Sequence, residues 1–480
     1  MDKDLASRQE ARTLAQAAQA AQLQLRGMDQ EKLDAIVQAV SRAFADQALE
    51  LGRLACQETG FGNEADKAVK NRFASLRVWE AIKDLKTVGI LKEHPQEKIW
   101  DVGVPVGVIA GIVPSTNPTS TVCYKAMIAL KAGSAIVFSP HPAAAKCTLR
   151  ATEVVARAAE AAGCPKGAVS CLTTPTMEAV DELMKCPQVR LILATGGPGM
   201  VRAAYSSGKP AIGVGAGNGP AYIHRSADIS KAVADIFASK TFDYGTVCAS
   251  EQSIIVERAD AERVKQECKR QGAYFLSEQE AGQVAKVLFR PDGRLNPKVV
   301  GRSAPAVAQL AGLTVPANTR VLMARETQAG PTRPYSHEKL CPVLAYFVEE
   351  NEDTVLARSI EVLEHEGAGH TFILHAKDEA VIRRFALQVP VSRFLVNTPG
   401  ALGGIGATTN LFPALTLGCG AVGGSSSSNN IGPLDLINIR RVAWGVREPE
   451  QAPVAARGSS GAVSETVINA LAAEIMKKLL

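Results

Sequence analysis

Followed from one end to the other, the pattern of apolar and polar positions changes texture three times. From about Asp4 to Glu80 the chain is rich in Ala, Gln, Leu and Glu, and apolar residues return at spacings of three and four, as at Leu33, Ile36, Val37 and Val40. That period places apolar side chains on one face of a helix, so a layer of amphipathic helices is expected. From Val106 the pattern becomes short β-rich runs at Val106–Val113, Ala135–Phe138, Ala168–Leu172, Val189–Ala194 and Ala221–His224. Helical stretches lie between them near Ser120–Leu130, Ala143–Ala162, Thr176–Met184 and Gly199–Ser206. Such alternation predicts a parallel sheet with helices on both faces.

A second α/β region is expected from about Ser239. Its strand runs are Ser253–Val256, Pro342–Phe347, Thr371–Leu374 and Arg393–Val396, and its helices include Glu352–Leu363 and Glu379–Leu387. Two such lobes leave a cleft where a cofactor and a substrate can meet. The last segment differs again. Glu448–Gly461 (EPEQAPVAARGSSG) reads as a linker, after which Val463, Val467, Leu471, Ile475 and Leu479 recur at every fourth position. This predicts an amphipathic helix on a tether, with Glu465 and the pair Lys477 and Lys478 matching its dipole.

Composition narrows the function classes. With 46% hydrophobic and 21% charged residues and a net charge of +5 spread without basic runs, the chain reads as globular and not as a nucleic-acid binder. The longest apolar stretch, Val102–Val113, is interrupted by Gly103, Pro105, Gly107 and Gly111 and is too short to cross a bilayer. The polar amino terminus lacks the apolar core of a signal peptide, so a cytosolic protein is expected. Ten cysteines without a CxxC pair are expected to be reduced thiols. The histidines at 365, 370 and 375 are expected to be scattered by alternating helix and strand, and no metal site is expected.

Four places carry candidate chemistry. Cys248, within Ser239–Val256 (SKTFDYGTVCASEQSIIV), sits among small residues just before an apolar strand run, near the expected cleft. A thiolate there could attack an aldehyde carbon, and the adduct could expel hydride to a nicotinamide, leaving a thioester. Thr195-Gly196-Gly197-Pro198-Gly199 follows a strand and opens a helix, an arrangement that lets N–H groups and the helix dipole approach a pyrophosphate. Pro114-Ser-Thr-Asn-Pro118 ends a strand, where Asn117 or, almost equally, Thr116 could donate to a developing oxyanion. Ile212–Pro220 (IGVGAGNGP) is a tight glycine-rich loop.

The segments KTFDYGTVCASEQSIIV, GVIAGIVPSTNPTSTVCYKAMIALKAGSAIVFSPHP and HEKLCPVL resemble the CoA-acylating aldehyde dehydrogenase family, in particular the aldehyde dehydrogenase half of bifunctional aldehyde–alcohol dehydrogenases. The likeness runs from about Gly107 to Val442. It implies a Rossmann-type NAD-binding domain over 1–238 with oligomerisation strands near 92–105, and a catalytic domain over 239–428. A return to the oligomerisation element over 429–447 precedes the linker at 448–461 and the helix at 462–480. The iron-dependent alcohol dehydrogenase half is not expected, so chemistry should stop at the acyl-CoA.

The resemblance also assigns roles. Cys248 would be the nucleophile, with its backbone N–H as a second oxyanion donor. NAD would lie against Thr195, Gly196, Gly197, Gly199, Ser139, Pro140 and Gly215, with Glu338 on the nicotinamide ribose. Hydrolytic relatives usually carry lysine where Ser139 falls. They also carry a general-base glutamate in a Glu-Leu-Gly-Gly-Lys-Ser/Asn-Pro run, and registering that run on Pro220 puts Val214 in the glutamate's place. Valine cannot activate water, so CoA should win the acyl group. Short aldehydes, acetaldehyde or propionaldehyde, are the expected substrates, with sulfoacetaldehyde or a hydrolytic reaction as alternatives. Strands around Ile437–Trp444 and Lys98–Val104 imply a dimer or larger homo-oligomer. The terminal helix Val463–Leu480 resembles encapsulation peptides, which implies shell proteins of a bacterial microcompartment as partners; docking on its own enzyme or oligomerisation are the other readings.

Overall fold

The computed structural model describes residues 3–449 and 464–479. Its amino-terminal helices, Lys3–Leu25, Gln30–Asp46, Ala48–Thr59 and Glu64–Arg72, form the expected helical layer. Asp29 and Asn63 cap the second and fourth by accepting N–H bonds from Lys32 and Asp66. Leu33, Ile36, Val37 and Val40 all face inward, as their spacing predicts.

Two short strands, β1 (Gly89–His94) and β2 (Ile99–Pro105), pair antiparallel ahead of the first lobe. The first lobe contains β3 (Val108–Val113), β4 (Ala135–Pro140), β5 (Val169–Cys171), β6 (Val189–Thr195) and β7 (Ala211–Val214). These five form a wholly parallel sheet in the order β5-β4-β3-β6-β7. The order runs outward in both directions from the β3–β6 pair, so a crevice opens beyond the carboxyl ends of those strands, where open α/β sheets bind their ligands. Buried Lys125 pins that point by donating to the carbonyls of Ile112 and Leu193, at 2.7 and 2.8 Å. Lys125 lies on the helix Pro118–Lys131, every residue of which is buried.

The second lobe is a seven-stranded parallel sheet of β8 (Gly219–Ile223), β9 (Glu251–Glu257), β10 (Ala273–Phe275), β11 (Val321–Arg325), β12 (Val343–Glu349), β13 (Gly369–His375) and β14 (Val391–Val396). Its order is β10-β11-β12-β9-β8-β13-β14. The run at Ala221–His224, grouped with the first lobe on sequence, belongs here: β8 pairs with β9 and β13. Alternation alone cannot say which sheet a strand joins, and the first sheet ends at Val214. Finally β15 (Ile437–Ala443) returns to pair with β2, and Trp100 meets Trp444 edge to face at 4.9 Å.

All ten cysteines are free thiols. Among the described residues no helix is long and apolar enough to cross a membrane. Most of the expected linker, 450–461, lies outside the described residues, as does Val463; the helix beyond it spans Glu465–Leu479. Val467, Ile468, Leu471, Ile475 and Met476 on that helix are all exposed.

Candidate active site

A cleft of about 500 Å³ opens at the β3–β6 crevice and is lined from both lobes. Cys248, Thr116, Asn117, Thr195, Gly196, Gly197, Val214, Gly215 and Glu338 all contribute to its wall. Three expected cofactor residues do not. Ser139 and Pro140 are buried within β4, so the wall is reached instead by His141 and Ala143, just beyond that strand's end. Gly199 is already inside the helix Pro198–Tyr205 and does not line the cleft.

The turn after β6 suits a dinucleotide. Gly197 caps the helix Pro198–Tyr205, and a Cβ added at Gly197, Gly199 or Gly215 would meet no atom within 4 Å. The Thr195 hydroxyl at the turn and the Ser139 hydroxyl at the end of β4 are buried without hydrogen-bond partners among the described residues. Open space over backbone N–H groups at a helix start, beside an unsatisfied hydroxyl, is what a pyrophosphate would fill.

Cys248 lies on the loop between the turn Phe242–Gly245 and β9, and is half-buried. The loop after β7 presses against it: a Cβ on Gly217 would stand 1.9 Å from the Cys248 carbonyl oxygen, so only glycine permits this approach. The same Gly217 donates its N–H to Glu338 Oε1 at 2.9 Å, which fixes that carboxyl in the cleft. Burial pushes the Cys248 thiol up to about 12, with Glu338 and Cys419 adding to the rise and the buried Arg393 guanidinium opposing it. Burial, followed by the charge of Glu366, raises the Glu338 carboxyl to about 8. A carboxyl titrating there can accept a proton at neutral to alkaline pH.

The oxyanion candidates are held by charges that sequence reasoning passed over. Lys70, fully buried on the helix Glu64–Arg72, donates to Asn117 Oδ1 at 2.5 Å and pairs with Asp243. Lys67 donates to the Thr116 carbonyl at 3.1 Å and to Asp243 Oδ2 at 2.9 Å. Against the opposing effect of burial, Lys70 and Lys67 hold the Asp243 carboxyl below the ordinary range. A cation on Oδ1 settles the orientation of the Asn117 amide. Its Nδ2 then donates to the Thr246 carbonyl at 3.2 Å and to Thr116 Oγ1 at 3.1 Å. Thr116 Oγ1, once it accepts that bond, keeps its own proton to donate. The sequence did carry a signal, since Lys67, Lys70 and Asn71 recur at three and four on the buried face of their helix.

His370 was also missed. At the start of β13 it is buried beside the Cys248 loop: its Cε1 and the Cys248 carbonyl oxygen both lie within 3.2 Å of the point where a Gly217 Cβ would stand. Nδ1 meets Thr371 Oγ1 at 2.8 Å, whereas Nε2 is buried without a partner among the described residues. Burial, aided by Arg393, lowers its pKa to about 3 and keeps the ring neutral.

The chain matches the model of the aldehyde dehydrogenase family over residues 2–275. It is 43% identical over 439 residues to the bifunctional aldehyde-alcohol dehydrogenase AdhE of Escherichia coli, covering 90% of this chain and 49% of that protein, so the chain spans about half the length of that relative. The crystal structure of an acetylating aldehyde dehydrogenase from Geobacillus thermoglucosidasius superposes with a TM-score of 0.93 at 50% identity, over 94% of this chain and 100% of the other. Two more distant structures superpose with a TM-score of 0.82. One is a propionaldehyde dehydrogenase from a Clostridium phytofermentans fucose utilisation microcompartment, at 27% identity over 90% and 96% of the two chains. The other is a Rhodopseudomonas palustris propionaldehyde dehydrogenase with bound propionyl-CoA, at 28% identity over 90% and 94%. With a thiol, candidate oxyanion donors and a glycine turn converging on one cleft, and an acetylating relative of 50% identity matched over its full length, the chain belongs to the acylating branch of the aldehyde dehydrogenase family.

Proposed function

We propose that this protein oxidises a short-chain aldehyde, acetaldehyde or propionaldehyde, with NAD and CoA to an acyl-CoA. The observation that carries the reading is Val214. It lies in the cleft wall with Cys248, at the position that the registered run gives to the hydrolytic enzymes' general-base glutamate. Glu338 takes the thiol proton, and Cys248 sulfur bonds to the aldehyde carbon. Thr116, backed by Asn117 and Lys70, donates to the new oxyanion together with the Cys248 N–H. NAD, held along Thr195–Gly197 and Gly215, supplies the hydride acceptor when bound. The thioester then persists, because no carboxylate takes the place of Val214 to activate water. The sulfur of the incoming CoA thiol then bonds to the acyl carbon and displaces Cys248, the CoA proton passing to the departing Cys248 thiolate. The apolar wall, with Phe61, Val247, Leu340, Ile405, Leu415 and Leu417, favours an uncharged aldehyde over sulfoacetaldehyde.

The test follows NADH from a panel of aldehydes with and without CoA. A single burst without CoA, sustained turnover with it, and neither in Cys248→Ala are expected; sustained NADH without CoA overturns the acylating reading.

The terminal helix supports a second element of the proposal. Its apolar residues are exposed on a 15-residue helix, and a relative of similar fold comes from a microcompartment, so we assign the segment to docking on shell proteins. Homo-oligomerisation is assigned to the β1-β2-β15 sheet, where Ile90, Ile439 and Trp444 are exposed. Removing 448–480 should leave specific activity unchanged and abolish particle association; loss of the fold or the oligomer would return the helix to a structural role.

A further inference from the structure

We propose that His337, His365 and Glu366 form a binding site for a divalent transition-metal ion of the zinc class, one residue away from Glu338. His337 precedes Glu338 on the loop before β12, and His365 and Glu366 close the helix Glu352–His365. The fold thus joins residues that sequence spacing kept apart, and leaves His370 and His375 elsewhere on β13. One donor atom from each of the three lies within 4.8 Å of the other two. His337 Nδ1 stands 3.1 Å from Glu366 Oε2, and the two imidazoles meet edge to face with centroids 4.5 Å apart. Tetrahedral ligands with zinc bonds of about 2.0–2.2 Å lie roughly 3.3–3.5 Å from one another. The set therefore closes on an ion through side-chain shifts on the order of an ångström.

An independent observation points the same way. Among the described residues, His365 Nε2 is buried and has no hydrogen-bond partner, a condition that an ion would relieve. All three residues are half-buried, so an ion can enter, while Phe289 packs on the His337 ring at 5.4 Å and limits its motion. Two imidazoles and one carboxylate suit zinc, cobalt or nickel; magnesium and calcium prefer oxygen donors. With three protein ligands the fourth position is left to water.

The site has a path to the cleft. Glu366 Oε2 also accepts the backbone N–H of Glu338 at 2.9 Å. An ion that draws on this oxygen weakens that bond and loosens Glu338, so occupancy lowers turnover. This consequence rests on the role given to Glu338 above; the binding does not.

Binding is measured in the Cys248→Ala protein, which removes the cleft thiol as a competing ligand, by titrating zinc against a chromophoric chelator and recording the visible spectrum of cobalt. One site per chain is expected, without thiolate charge-transfer bands, and its affinity should fall at least about tenfold in His365→Gln. No binding, or unchanged binding in a folded His365→Gln protein, overturns the proposal. If that variant fails to fold, His337→Gln is compared by binding alone, with the same two outcomes. In the intact enzyme, micromolar zinc should inhibit, a chelator should restore activity, and His365→Gln should resist. Binding without inhibition refutes the path through Glu338, and an enzyme inactive without any metal refutes the function proposed above and not the site.

Discussion

Replacing Lys70 by methionine tests whether the proposed oxyanion pocket depends on a charge that acts through the Asn117 amide. The side chains are similar in length, so the change removes the ammonium and leaves most of the packing. Asp243 is not orphaned, because it keeps Lys67 at 2.9 Å, the Thr246 hydroxyl at 2.6 Å and the Asn63 N–H at 2.9 Å. The loss of stability should therefore fall below the ~3–5 kcal/mol typical when one partner of a buried pair is removed and the other is left bare. We expect about 1–2 kcal/mol, the cost of charged hydrogen bonds lost on one side.

The effect on catalysis should be larger. Without the cation on Oδ1 the Asn117 amide can flip, and it then presents an acceptor where Thr116 Oγ1 now receives a donor. Deleting an oxyanion donor outright costs roughly 10²–10³ in kcat. Disordering one that stays in place should cost about 10–100-fold, in kcat more than in KM. The assay is steady-state NADH formation at saturating NAD and CoA, with thermal melts to confirm folding, and the burst without CoA to isolate the acylation step. Lys70→Arg should recover part of the rate. A Lys70→Met protein that folds and turns over within twofold of wild type would refute the reasoning, as would a loss confined to KM.

Two further substitutions probe the other groups in the cleft. Because Glu338 acts as carboxylate and its pKa is raised to about 8, turnover should climb with pH through that region, and Glu338→Gln should lower the rate and flatten the climb; an unchanged pH profile in the variant removes Glu338 as the base. Val214→Glu restores a carboxylate to the cleft wall and should give slow, sustained NADH formation without CoA, roughly 1–10% of the CoA-dependent rate if base catalysis contributes its usual 10²–10⁴-fold. A burst of normal size followed by no turnover would show that Val214 does not set the fate of the thioester.

What the sequence made legible follows from which interactions are local. Central parallel strands are buried on both faces, so β3 (VIAGIV) reads as a continuous apolar run and β6 (VRLILAT) as an apolar run interrupted by the exposed Arg190, and both were placed to within two residues. The shorter β7, β10 and β11 were not seen: β10 is three half-buried residues, and β7 is four residues between turns. Cys248 was singled out because its surroundings form a long local motif, and the structure places it in the cleft that alternation implies. Lys67 and Lys70 were missed because a lysine on a helix is ordinarily solvated; what reverses that reading is Asp243, 176 and 173 residues away. The same distance dependence explains Ser139. Registered on relatives it belongs to the cofactor, but whether it or His141 reaches the cleft depends on where β4 ends against β3, a pairing that continues to Pro140. His365 and His370 divide on the same ground. Their spacing of five residues says nothing until helix and strand send one ring to His337 and the other to Cys248. Motif and periodicity thus single out the proposed reacting thiol, whereas the charged and hydrogen-bonding groups around the cleft are joined only by the packing of distant segments. The Lys70 substitution is informative for that reason: the periodicity around Lys70 shows at most that it is buried, whereas the groups it acts on, Asn117 and Asp243, lie far along the chain.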